Sequence, residues 1–217
     1  MNQKAIIFGD IHSQWRAAKI ILDEARKSGI DLAVNLGDDI EHFGTDDYDM
    51  TMLWETFRKF LRENPRRKLI GLFGEHNARL PVDILESYIG VDSDGRPIGS
   101  LIYKEGNVIA GHNGGEILDQ HGDTIHGHSG LEPLLVLHGH SECINILPEY
   151  RWLRGPDKVR FLEQDQMHKL EPGRVYWVSP GRARWQEEYS SNHVNFAVYD
   201  PKSLEVTLRT LHIGYWP

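Results

Sequence analysis

Three short apolar runs in the N-terminal part of the chain each end in glycine followed by a carboxylate: Ala5–Phe8 before Gly9-Asp10, Leu32–Leu36 before Gly37-Asp38, and Leu69–Phe73 before Gly74-Glu75. Two stretches of helical period separate them. Gln14–Lys27 carries apolar residues at 15, 17, 18, 21, 22 and 25 and stops near Gly29. Met50–Leu61 places Met50, Leu53, Trp54, Phe57, Phe60 and Leu61 on one side and stops before Pro65. Strand, helix, strand, helix, strand requires crossover connections, so the three strands are parallel. In a parallel α/β sheet the functional crevice lies beyond the carboxyl ends of the strands. Asp10, Asp38 and Glu75 are therefore expected near one another, where three anions repel unless protonated or neutralised by cations.

The remainder changes character. Pro81–Ile89 reads as a short helix, and Ser100–Tyr103, Val108–Ala110, Leu134–Leu137, Val175–Val178, Asn195–Tyr199 and Leu204–Thr210 read as strands. Residues 39–49 are acidic and loop-like, residues 111–130 form a loop rich in glycine and histidine, and residues 148–172 form a polar stretch with Pro148, Pro156 and Pro172. No repeat or interdomain linker interrupts the chain, so its 217 residues are expected to form a single α/β domain over 1–217 with two packed sheets. A chain of this length buries a core without disulfides, so a metal would serve chemistry rather than folding.

Composition excludes several classes. Apolar residues at 40% and charged residues at 26% are ordinary for a globular chain and argue against disorder. The one cysteine, Cys143, excludes an internal disulfide and a cysteine-based zinc site, and is expected to be buried and inert. No apolar run approaches the roughly 20 residues of a membrane span. The N-terminal residues read as a strand rather than a signal peptide. The expectation is a soluble cytoplasmic protein with no membrane partner. A formal charge of −8 disfavours a nucleic-acid partner, and only Arg62–Lys68 and Arg151–Arg160 are locally basic.

The chain has 12 histidines, and their places decide their meaning. His12 stands two residues after Asp10, His112 follows the Val108–Ala110 strand, and His140 follows Leu134–Leu137. Carboxylates and imidazoles gathered at strand ends are a ligand set for one or two divalent transition ions. The ordered set of Gly9-Asp10-Ile11-His12, Gly37-Asp38-Asp39, Gly74-Glu75-His76-Asn77, His112 and Gly139-His140-Ser141-Glu142 resembles the calcineurin-like metallophosphoesterase superfamily. A later Ser179-Pro180-Gly181-Arg182 resembles that family's Asn-Pro-Gly-Ser turn, and the last strands resemble its terminal hairpin.

The resemblance implies an α/β fold of two mixed sheets packed as a sandwich between helices, in four layers. It implies a metal-dependent phosphoesterase, more a phosphatase than a phosphodiesterase, acting on a phosphorylated substrate of unnamed class. Asp10 and His12 would hold one divalent ion, Asp38 would bridge two, and His112 and His140 would hold the second. His76 would act on the scissile phosphate as general acid or charge stabiliser. Asn77 and Arg182 are candidates to contact the phosphate, the latter bidentately.

Three positions depart from the family pattern. Glu75 stands where the family has an asparagine ligand, Asn77 where it has a carboxylate, and Glu142 where it has the last histidine of a Gly-His-x-His motif. Glu75 and Glu142 enter the expected ligand set, and their oxygens favour Mn2+, with Fe, Zn, Ni or Mg also compatible. His138 competes with Glu142, because strict strand alternation would put 138 and 140 on one face; the resemblance places His138 inside the strand and favours Glu142. His121, His126 and His128 are expected in a solvated loop, and Trp15 and Trp54 in the core. Two rival functions remain: a phosphodiesterase or nuclease on the same centre, and an interaction protein that keeps the fold without strong metal binding.

Overall fold

The computed structural model describes residues 1–12, 14–39, 47–74, 81–89, 102–140, 143–150, 161–183 and 193–212. Its strands are β1 (Ala5–Phe8), β2 (Leu32–Asn35), β3 (Lys68–Gly71), β4 (Tyr103–Glu105), β5 (Val108–Gly111), β6 (Leu134–His138), β7 (Ile144–Leu147), β8 (Gln166–Lys169), β9 (Val175–Pro180), β10 (His193–Asp200) and β11 (Glu205–His212). Its α-helices are α1 (Trp15–Lys27), α2 (Asp47–Arg62) and α3 (Gly114–His126), with a 3₁₀ segment at Val82–Ser87.

β1, β2 and β3 pair in parallel, as the crossover pattern requires. They continue through antiparallel β10, β11 and β8 into a six-stranded sheet of order β3-β2-β1-β10-β11-β8. The second sheet, of order β4-β5-β6-β9-β7, has a parallel centre and antiparallel edges. Both sheets are mixed.

Alternation along each strand builds three cores. Ile6 and Phe8 of β1 pack outward with Ile21, Leu22, Leu53, Phe57 and Phe60 of α1 and α2. Ala5, Ile7 and Val34 pack inward against Val108, Ala110, Leu135, Leu137 and Val178, filling the space between the sheets. Ile109, Val136 and Trp177 face out of the second sheet and pack with Ile117 and Ile125 of α3. The layers are helix, sheet, sheet, helix. Trp54 is buried in the outer core and Trp15 packs at its edge, while Cys143 is buried.

Several expectations need correction. Residues 111–130 are not a loop: α3 fills most of them, with Asn113 capping its start by accepting from the Gly115 amide at 2.9 Å. His121 and His126 lie on that helix and His128 just beyond it. The polar stretch contains β8, an edge strand whose side chains stay largely exposed. β7 was not expected, α2 begins at Asp47 inside the supposed acidic loop, and the short helix after β3 is 3₁₀. Among the described residues no helix is long and apolar enough to cross a membrane.

Candidate metal centre

The carboxyl ends of β1 and β2 turn sharply and are stitched together. The Asp10 amide donates to the Gly37 carbonyl and the His12 amide to the Asp38 carbonyl, each at 2.9 Å. The two bonds bring Asp10, His12 and Asp38 to one point. Asp10, His12, Asp38 and His140 have φ of 52°, 46°, 55° and 49°, and they are four of the five non-glycine residues at positive φ among those described. The left-handed conformation costs an ordinary L residue roughly 1–2 kcal/mol, and such strain concentrates at functional sites. Close approach of the strand ends enforces it. A Cβ on Gly37 would lie 2.8 Å from the Gly74 amide and 3.1 Å from Nδ1 of His112, and one on Gly74 would collide with the Asp38 carboxylate and amide.

The side chains form two overlapping groups whose ligand atoms lie within 4.8 Å of one another: Asp10, His12 and Asp38, and Asp38, His112 and His140. Asp38 belongs to both. Its Oδ2 lies 3.9 Å from Nε2 of His12 and 3.2 Å from Nε2 of His112. That same Nε2 is 3.2 Å from Nδ1 of His140. His112 donates from Nδ1 to the Leu36 carbonyl at 2.9 Å, which turns Nε2 toward Asp38 and His140.

Burial of so many charges perturbs their titration. Burial disfavours the charged His112 ring, but the hydrogen bond and charge of Asp38, then Asp10 and the Leu36 carbonyl, outweigh it and raise its pKa to about 9. Burial pushes Asp10 up to about 7, with Asp38 adding to the rise and His112, Arg182 and the His140 amide opposing it. A protonated imidazole next to an acid that is reluctant to ionise marks a place that gains from positive charge. Among the described residues, Oδ2 of Asp10 is buried with no hydrogen-bond partner. An orphaned buried carboxylate oxygen, a carboxylate common to two groups and three converging imidazoles fit divalent transition ions held by nitrogen and oxygen.

No family model matches the sequence, and neither does any curated protein. Solved structures do match. A metallophosphoesterase from Sphaerobacter thermophilus is similar with a TM-score of 0.61 over 99% of this chain and 90% of its own, at 14% identity. A novel archaeal phosphodiesterase is similar at 0.55 over 96% and 100%, with 14% identity. Yfce, a phosphoesterase from E. coli, is similar at 0.50 over 98% and 100%, with 12% identity. The chain has the metallophosphoesterase fold.

Within that fold, five of the expected ligands, Asp10, His12, Asp38, His112 and His140, are gathered at the strand ends. Glu75, His76, Asn77 and Glu142 lie outside the described residues. Arg182 follows β9 beside the group; the Ala183 amide donates to the Gly9 carbonyl at 3.0 Å, and the Arg182 charge acts on Asp10. His138 lies inside β6, where the resemblance places it. The strand ends at 138, so alternation does not carry through to 140, and His138 packs against Tyr150 and Trp177 on the α3 side. Sequence reading missed Asn35 and Tyr88, both buried against the Asp38 turn. The available signal was an asparagine inside an otherwise apolar buried run.

Proposed function

We propose that the chain is a metal-dependent hydrolase of phosphate esters, with monoesters its preferred substrates. The observation that supports this most is the sharing of Asp38 between the two ligand groups. When bound, two divalent ions at such a centre supply Lewis-acid stabilisation of phosphoryl charge and a water acidic enough to attack at neutral pH. The chain's residues supply the rest. Asp10 and His12 would hold one ion, His112 and His140 the other, and Asp38 both. The Leu36 carbonyl holds the His112 ring with Nε2 directed inward. Arg182, beside Asp10, is suited to orient the phosphate through paired N–H donors. His76, two residues after Gly74, would give its proton to the leaving oxygen. Glu75 and Glu142 would add oxygen ligands, which favours manganese over zinc.

The fold shared with a metallophosphoesterase, a phosphodiesterase and a phosphoesterase is compatible with either ester class. The formal charge of −8 disfavours a polynucleotide and supports a small monoester. The test is hydrolysis of an aryl phosphomonoester and an aryl phosphodiester, side by side, by metal-stripped protein with and without Mn2+. Manganese-dependent turnover, faster on the monoester, is the expected result. Preference for the diester would move the assignment to a phosphodiesterase, and neither metal uptake nor turnover on either ester would favour an interaction protein.

A further inference from the structure

We infer that Asn35, Asp39 and Tyr88 form a positioning network that holds Asp38 between its two ligand groups. The inference deepens the proposed metal-site reading and rests on it.

The four-residue segment after β2 reverses through two consecutive left-handed residues, Gly37 at φ 97° and Asp38 at φ 55°. Side chains close it from both ends. Oδ1 of Asn35, the last residue of β2, accepts from the Gly37 amide at 3.3 Å, and its Nδ2 donates to Oδ1 of Asp39 at 2.5 Å. The Tyr88 hydroxyl donates to Oδ2 of Asp39 at 2.7 Å and accepts from Nδ2 of Asn35 at 3.3 Å. Asp38 sits at the apex of this ring, with its own neighbours bound on either side.

The ring is anchored outside the turn. Tyr88 bridges Gly71 of β3, and the Ile89 amide donates to the Gly71 carbonyl at 2.8 Å. The Tyr88 ring lies so close over Gly71 that a Cβ there would come within 2.6 Å of it. The hydroxyl is thus fixed by backbone to β3, and through Asp39 it fixes the turn. Asn35 and Asp39 are fully buried, and Tyr88 is nearly so. A carboxylate buried this deeply is costly unless hydrogen-bonded. An apolar residue would cover the same space without that cost, but it could not tie the turn to β3. Groups that orient metal ligands are commonly worth 10–100-fold in metal affinity.

The test uses the full chain, stripped of metal. Mn2+ affinity is measured by calorimetry, and the visible spectrum is recorded with Co2+. Tyr88→Phe and Asp39→Asn should each weaken Mn2+ binding by roughly 10–100-fold and change the Co2+ spectrum. Asn107→Ala removes a part-buried hydrogen bond to the Pro133 carbonyl at the start of β5, the end remote from His112. It should lower the melting temperature and leave both readouts alone. In the wild type, Mn2+ should raise amide-exchange protection at residues 35–39 and at 88–89 together, a readout that needs no variant to fold. Wild-type affinity and an unaltered spectrum in Tyr88→Phe, or protection confined to 35–39, overturns the network while leaving the metal site standing. A wild type that takes up no ion overturns both.

Discussion

His138 and His140 stand two residues apart in the run His-Gly-His and meet opposite surroundings. His138 ends β6 and keeps the strand's alternation, so it points to the α3 side, 5.5 Å from the Tyr150 ring and 6.0 Å from that of Trp177. Its Nδ1 donates to the Gly139 carbonyl at 3.2 Å. Burial, opposed by that bond and reinforced by the charges of His112 and His140, pushes its pKa down to about 4. His140 has left the strand, adopts φ 49°, and meets His112 and Asp38. Identity and spacing do not separate the two. The residue at which the sheet stops does, because the pleat dictates direction before it and the turn dictates direction after it.

Substitutions can break or sharpen this contrast. The largest effect is expected at Asp38, which belongs to both groups on the turn side. Asp38→Asn should reduce hydrolysis to background and remove most metal, while circular dichroism stays native because the three apolar cores do not involve it; retained activity would sink the two-group reading. His76→Ala should lower turnover by about 10²–10⁴-fold, the usual worth of a general acid, with metal content unchanged. A substrate with a very good leaving group should suffer less, and equal losses would mean that His76 stabilises phosphoryl charge instead.

The direct comparison is next in size. His140→Ala should weaken Mn2+ binding by at least about 10-fold, whereas His138→Phe should leave it unchanged. Equal losses in a calorimetric titration would show that the end of β6 does not divide them. The smallest effect is on stability. His138 is kept neutral in the folded chain and protonates readily once unfolded. Its contribution is therefore complete above the ordinary histidine pKa of 6.5 and is lost as pH falls toward its folded value of about 4. The loss amounts to roughly 3 kcal/mol at most. In urea titrations His138→Phe should flatten the fall in stability between these limits, and an unchanged slope would place His138 in contact with water.

The parts legible in the sequence were those with local punctuation. Gly9-Asp10 and Gly37-Asp38 announced strand ends, and crossover helices announced parallel order, so the strand ends carrying Asp10, His12 and Asp38 followed from neighbouring residues. α3 read as a loop because Gly114, Gly115 and Gly122 lower helix propensity; its apolar positions Ile117 and Ile125 gain their meaning only from packing on Val136 and Trp177. β8 was hidden because an edge strand with exposed side chains carries no alternation. The Asp39–Tyr88 contact joins residues 49 apart in sequence, a pairing no local pattern announces. The left-handed turns showed only as glycines nearby, because the strain falls on the aspartates and histidines themselves.

The central claim is that one carboxylate, Asp38, joins two metal-binding groups. Crystals of the protein grown with Mn2+, measured at the manganese absorption edge, test it most directly. The account predicts two anomalous peaks per chain, each touching an Asp38 oxygen, with Asp10 and His12 on one and His112 and His140 on the other. A single peak that does not touch Asp38, or no peak at the ends of β1 and β2, would contradict it.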